Sequence, residues 1–217
     1  MSDPHGVHDF DDPMVEIVHS DRPRRAAGGP IVVLVGVPGA GKSTVGRLLA
    51  QRLGVEFRDT DADVESSTGR VIGDIFVESG EPEFRRLESS AVAAALAEHV
   101  GVLALGGGAV TDRGTRALLA GGPVAWLRVG LAAASQRAGL SGARPVLLGN
   151  VRAQMKALMD ARAPLYTEVA RVVVDTDNLT VEETVEAIFT GLKLSALDST
   201  SKVPGGPDSS PRSEVRP

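Results

Sequence analysis

The stretch Gly36-Val-Pro-Gly-Ala-Gly-Lys42-Ser43 constrains this chain more than any other. It fits G-x-x-x-x-G-K-[ST], the pattern of a loop that cradles phosphates. Ile31 to Val35 precede it as an unbroken apolar run, the signature of a parallel strand buried on both faces. Val45, Leu48, Leu49 and Leu53 follow at helical spacing, and Gly54 supplies a C-terminal stop. A strand, a glycine loop and a helix in that order bring backbone N–H groups and the positive end of a helix dipole to one anion. Lys42 is then expected to reach the β- and γ-phosphates of a nucleotide and Ser43 to ligate Mg²⁺. A fortuitous glycine-rich turn is the competing reading, and the flanking strand and helix weigh against it.

Strand-like and helix-like segments alternate beyond the loop. Val55–Phe57 reads as a second strand, Val102–Leu105 as a third, Val124–Leu127 as a fourth and Arg171–Val174 as a fifth. Helices are predicted near Asp63–Ser67, stopped by Gly69, and near Ile72–Ser79, stopped by Gly80. Another opens at Pro82, where proline is tolerated in a first turn, and a last one carries Val181, Val185, Ile188 and Leu192 on one face. This alternation implies a parallel sheet with helices on both faces. Residues 1–29 hold aspartates, prolines and three of the four histidines with no sustained apolar period, and residues 195–217 are rich in Ser, Pro and Gly. Both are expected to be disordered tails around one folded unit, residues 30–194.

Composition narrows the function classes. A net charge of −5 gives no electrostatic support to nucleic-acid binding. The absence of cysteine excludes disulfides, thiolate nucleophiles and Cys-ligated metals, and suits a reducing cytoplasm. No run approaches the ~18 apolar residues that span a bilayer, and no apolar segment near the start reads as a secretory signal.

Two further constellations carry chemistry. Asp59-Thr60-Asp61 falls at the carboxyl end of the second strand, the edge where parallel sheets bind ligands. If extended geometry persists, both carboxylates point to one side. Beside a Mg²⁺–nucleotide site, one carboxylate can hold a metal-bound water while the other accepts a hydrogen bond from a hydroxyl about to be phosphorylated. Gly106-Gly107-Gly108 follows the third strand and can lay bare backbone N–H groups for a small substrate; a plain tight turn is the alternative. Arg85 and Glu88 stand three apart on the helix after Pro82, so the carboxylate can orient the guanidinium. Arg162 precedes Ala163-Pro164-Leu165-Tyr166. Gly139 to Pro145 reads as a Gly/Ser-hinged loop that can swing Arg144 over the γ-phosphate.

Together these motifs resemble the shikimate kinases of bacterial aromatic-amino-acid synthesis, above all actinobacterial ones. GVPGAGKST, the DTD at Asp59–Asp61, IFVESGEPEFRRLE at Ile75–Glu88, LGGGAV at Leu105–Val110, ARP at Ala143–Pro145 and RAPLY at Arg162–Tyr166 carry the resemblance in order. It spans about Ile31 to Leu192. The resemblance implies a three-layer α/β/α P-loop kinase with a five-stranded parallel sheet in the order 2-3-1-4-5, a lid loop and substrate-binding helices. It implies transfer of the γ-phosphate of ATP to the 3-hydroxyl of shikimate by a cytoplasmic monomer, with one Mg²⁺ per ATP.

Position by position, the resemblance puts ATP on Gly39, Ala40, Gly41, Lys42, Ser43 and Thr44, with Arg137 packing on adenine and Arg144 reaching the phosphates from the lid. Ser43 ligates the metal, and Asp59 reaches it through water. Asp61 binds and activates the substrate hydroxyl, Arg85 and Arg162 hold the substrate carboxylate, and Gly106, Gly107 and Gly108 form the substrate turn. Asp61, Lys42 and Arg144 are the catalytic set. Two guanidinium forks suit a small acidic substrate on physical grounds as well. Phe76 and Phe84 can wall the pocket or pack the core. Arg58 stands where relatives usually carry an apolar or aromatic residue and is expected to face solvent. Asp177-Asn178-Leu179 replaces the basic residues and proline often found near adenine. A gluconate kinase on the same fold accounts less well for the glycine triplet, and its usual His-Pro pair after the aspartates is missing.

Overall fold

A computed structural model describes residues 14–18, 29–137 and 145–194, with the backbone alone for 145–151. The strands are β1 (Val15–Ile17), β2 (Val32–Val35), β3 (Glu56–Asp59), β4 (Gly101–Ala104), β5 (Val124–Arg128) and β6 (Val172–Asp175). The helices are α1 (Lys42–Leu53), α2 (Thr60–Thr68), α3 (Ile72–Glu98), α4 (Arg113–Leu119), α5 (Leu131–Arg137), α6 (Pro145–Val169) and α7 (Val181–Gly191), with a 3₁₀ turn at Ala109–Thr111. One sheet holds all six strands in the order β1-β6-β5-β2-β4-β3. Without β1, the five parallel strands run 2-3-1-4-5 in chain order, as the resemblance implies.

The central strand β2 is buried along its whole length, which is why its sequence is a continuous apolar run rather than an alternating one. Side chains alternate across the sheet, so Val172 and Val173 of β6 face opposite layers. Val172 lies beneath Gly191 of α7, while Trp126, level with Val173 on β5, stacks on Tyr166 of α6 with ring centroids 5.4 Å apart. Each fully buried side chain of this core, such as Leu34, Leu49 or Ile188, contributes about 1.5–3 kcal/mol of apolar burial.

The helix stops fall where glycine was read. Gly54 and Gly69 close α1 and α2 in the left-handed region. Gly80 (φ 80°, ψ 167°) breaks α3 into two helical pieces, the second opening with Pro82 in its first turn. Helices α4, α5 and α6 were not read from the sequence, and Pro164 sits inside α6.

Two expectations are corrected. The segment before residue 30 is not structureless throughout, because Val15–Ile17 pairs antiparallel with β6, Val15 opposite Val174 and Ile17 opposite Val172. Three residues are too few to show an alternating period among aspartates and prolines. Arg58 does not simply face solvent: its Nε donates to Asp63 Oδ2 at 2.8 Å and its guanidinium lies 3.7 Å from Glu98.

Candidate active site

The phosphate loop leaves β2 at Val35 and enters α1 at Lys42. Gly39 (φ 82°) sits where a Cβ would strike the Ala134 carbonyl, so α5 lies directly against the loop. Lys42 Nζ donates to the carbonyls of Gly36 (2.8 Å) and Val37 (3.2 Å), which holds the ammonium on the concave side of its own loop. Burial lowers the Lys42 pKa, opposed by the charges of Asp61 and Asp59. Ala40 is buried beneath the loop and Thr44 is exposed.

Asp59 and Asp61 do converge, but not by strand alternation. The strand ends at Asp59, whose side chain caps α2 by accepting from the Asp61 N–H at 3.1 Å, so Asp61 already lies in a helical first turn. The other oxygen of Asp59 accepts from Ser43 Oγ at 2.8 Å, joining the carboxylate to the end of the phosphate loop. Asp61 is pushed up to about 6, first by burial and then by the Asp59 charge, with Lys42 pulling the other way.

The glycine triplet is a meeting point and not only a turn. A Cβ on Gly106 would overlap the Asp61 and Glu88 carboxylates, one on Gly107 would strike Pro38 of the phosphate loop, and one on Gly108 would overlap the Arg85 guanidinium. Gly106 N–H donates to the fully buried Thr60 Oγ1 at 3.0 Å. The Gly107 carbonyl accepts from both Arg162 (2.9 Å) and the Tyr166 hydroxyl (2.6 Å). Arg85 donates to the buried Glu88 at 2.5 Å and to Glu81 at 3.1 Å, so the i, i+3 orienting pair read from sequence is present. Burial raises the Glu88 pKa against the pull of Arg85 and Arg162. Phe84 is buried with Val64 and Ile75 in a small second core, and exposed Phe76 packs on it with ring centroids 4.5 Å apart and the rings tilted by 35°.

Arg137, at the end of α5, reaches the loop after β6, where its guanidinium donates to the Thr176 carbonyl (2.9 Å) and hydroxyl (3.2 Å). Asp177, in the stretch that departs from relatives, accepts from Gly130 N–H at 2.7 Å and ties that loop to the start of α5. Arg144 lies outside the described residues. Thr60, Tyr166 and Thr176 are contacts that sequence reasoning missed. Thr60 and Tyr166 stood inside the motifs DTD and RAPLY, but their partners are distant in sequence.

One edge of the sheet thus gathers a phosphate loop, a carboxylate pair joined to it, and a second turn flanked by two arginines. That is the class of a P-loop small-molecule kinase. A family model described as shikimate kinase matches residues 38–193. The shikimate kinase of Streptomyces avermitilis is 56% identical over 165 residues, covering 76% of this chain and 96% of that protein. That of Saccharopolyspora erythraea is 59% identical over 160 residues, 73% and 91% respectively. The solved structure of shikimate kinase from Acinetobacter baumannii in complex with shikimate is similar with a TM-score of 0.67 and 36% identity, covering 75% of this chain and 91% of that one. The chain belongs to the shikimate kinase family.

Proposed function

We propose that this protein transfers the γ-phosphate of ATP to the 3-hydroxyl of shikimate, giving shikimate 3-phosphate and ADP. The observation that carries the reading is the convergence on Gly106–Gly108 of Asp61, Glu88, Arg85 and Arg162, beside Pro38 of the phosphate loop. Arg85 and Arg162 flank the turn as two planar donors suited to a carboxylate, and Glu88 holds Arg85 in register. Asp61 accepts the hydrogen bond of the attacking hydroxyl and takes its proton. A carboxyl titrating near 6 is a stronger base than an ordinary aspartate and still ionised at neutral pH. Lys42 and the backbone of Gly39, Ala40, Gly41, Ser43 and Thr44 hold the phosphates, Arg137 packs on the adenine side, and Arg144 is assigned to the phosphates from the lid.

Mg²⁺ fits the donor set. Ser43 Oγ and Asp59 Oδ2, 2.8 Å apart, are hard oxygen ligands. Among the described residues no three His, Cys, Asp or Glu side chains gather as a metal cage, as suits an ion that takes most of its ligands from phosphates and water. Ser43 would hold it directly and Asp59 through water; such an ion would supply positive charge against the phosphate oxygens. The reading assigns ATP and shikimate as partners of a cytoplasmic monomer that engages neither nucleic acid nor membrane, in keeping with a net charge of −5. No helix among the described residues is long and apolar enough to cross a membrane.

Purified protein with ATP and Mg²⁺ should release ADP only when shikimate is added, and not with gluconate. Equal ADP release with and without shikimate would sink the reading.

A further inference from the structure

Strand β1 lies outside both the residues matched by the family model, 38–193, and the stretch from about Ile31 that carries the resemblance. The Streptomyces relative is matched over 96% of its own length but only 76% of this chain, so it has no room for a counterpart of all the remainder. Because β1 runs antiparallel to β6, its first residue sits at the carboxyl end of its neighbour, the end that carries the site. The Met14 carbonyl accepts the Asp175 N–H at 3.0 Å, and the Val18 N–H donates to the Arg171 carbonyl at 2.9 Å. The first of these bonds falls on the last residue of β6, immediately before the loop that seats Arg137.

A chain of contacts runs from that edge to the nucleotide side. Arg128, the last residue of β5, stands between Glu16 of β1 (3.7 Å) and Asp175 of β6 (3.4 Å). Its own carbonyl accepts from Thr176 through both the N–H (2.8 Å) and the hydroxyl (3.1 Å). Thr176 in turn receives both hydrogen bonds of Arg137. Asp175 Oδ1 accepts from the Asp177 N–H at 3.2 Å, and Asp177 is bound to Gly130 ahead of α5.

We propose that β1 is a positioning element for ATP: by pairing with the end of β6 it holds Thr176, and through Thr176 the Arg137 guanidinium, in the geometry that receives the nucleotide. Glu16 and Arg128 are well exposed, and an ion pair of that kind contributes ~0–1 kcal/mol. The backbone pairing is the stronger part. Without it the Asp175 amide lies on an open sheet edge and the β6–α7 loop keeps fewer fixed points. The proposal rests on the reading of Arg137 as an adenine-side group, not on the identity of the phosphate acceptor.

The test uses the full chain and two proline variants. Met14 and Val18 direct their bonded groups at β6, so Glu16, two residues from each, directs its own N–H the same way. Glu16→Pro removes that donor and breaks the pairing, whereas Ile17→Pro removes an N–H that faces away from β6. ADP affinity is measured by titration calorimetry with Mg²⁺, alongside KM for ATP and for the acceptor. Glu16→Pro, and a chain lacking residues 1–18, should weaken ADP binding and raise the ATP KM ~5-fold. The acceptor KM should stay within twofold, and Ile17→Pro should match the unmodified chain. Unchanged ADP affinity in Glu16→Pro overturns the proposal. So does a parallel rise in both KM values with a fall in melting temperature, or failure of Glu16→Pro to fold, since each marks β1 as general scaffolding. Calorimetry reads ADP directly, so loss of the shikimate reading would leave this result interpretable.

Discussion

The molecule contains two glycine-rich turns at the carboxyl ends of adjacent parallel strands, and only one of them needs glycine for its backbone conformation. In the phosphate loop the backbone alone already requires it: Gly39 and Gly41 stand at φ 82° and 89°, where a side chain is strained, and Gly39 is in addition pressed against the Ala134 carbonyl. In the second turn no glycine has a positive φ of that kind, and Gly108 is near the helical region at φ −98°. There the reason is room, because the space a Cβ would take is filled by Asp61, Glu88, Pro38 and Arg85. Similar composition thus answers to backbone geometry in one turn and to the packing of remote side chains in the other. The first turn owes its glycines to its own backbone path; the second is shaped by the groups it brings together.

The largest test falls on Asp61, which feels both turns: the Lys42 charge from one side and the Gly106 backbone from the other. Asp61→Asn keeps the shape and removes the proposed base, so kcat should fall by ~10²-fold or more with ATP binding retained. The same substitution should raise the melting temperature at pH 7. The folded-state pKa of about 6 exceeds the ordinary 3.8, so between those values the folded chain binds more protons than the unfolded one. Stability therefore declines as pH rises through that window, and a neutral amide escapes the loss. A variant with near-normal kcat would move the base elsewhere, Asp59 first.

Next come the glycines themselves, as a crossed pair. Gly39→Ala combines a left-handed φ, at ~1–2 kcal/mol, with a clash against the Ala134 carbonyl. ATP KM should rise ~10-fold or more with little change for shikimate. Gly108→Ala is conformationally tolerable but drives into Arg85, so shikimate KM should rise ~10-fold while ATP KM barely moves. Arg85→Ala should reproduce that pattern, since it removes a charged hydrogen bond of about 1.5–3 kcal/mol. If both alanines weaken ATP instead, the two turns form one nucleotide site and the contrast fails.

The pH profile is milder. With Asp61, the proposed base, required ionised, kcat/KM should climb with pH and reach half its plateau at about 6. A profile flat from pH 5 to 8 would mean that another group sets the rate. Asp61→Asn should flatten the acid limb.

These contrasts explain how far the sequence could be read. The phosphate loop is legible because strand, turn and helix are contiguous and the glycine requirement is local. Four of the five parallel strands were located because they are nearly unbroken apolar runs, whereas their order, 2-3-1-4-5, came from the resemblance alone. Asp59 and Asp61 were placed together for the wrong local reason, since a capping aspartate started a helix one residue earlier than alternation allowed. The second turn stayed ambiguous because what decides it is remote in sequence: Pro38, Asp61, Arg85 and Glu88 fill the space a Cβ would take, and Thr60, Arg162 and Tyr166, 46 to 59 residues away, bond its backbone. Strand β1 was lost for a related reason: only its partner β6 distinguishes it from the polar sequence around it.

The smallest effect sharpens the contrast most. Tyr166 is buried at 1% exposure, and its hydroxyl donates at 2.6 Å to the Gly107 carbonyl that also accepts from Arg162. Burial holds its pKa near 12, so it stays a neutral donor across the working range. Tyr166→Phe keeps the ring stacked on Trp126 and removes only the hydroxyl, leaving Gly107 to Arg162 alone. A neutral hydrogen bond is worth about 0.5–1.5 kcal/mol net, and the carbonyl keeps one partner, so the loss should sit at the lower end. Shikimate KM should rise ~2–5-fold with ATP KM unchanged, because the Gly107 peptide loses one of its two fixed donors on the acceptor side only. Trp126 is the single tryptophan of the chain, so its emission reports on the stacked ring directly. Shikimate should perturb that emission in the unmodified chain and do so less in Tyr166→Phe. An ATP KM that rises with the shikimate KM would mean that Tyr166 braces the sheet as a whole rather than the second turn.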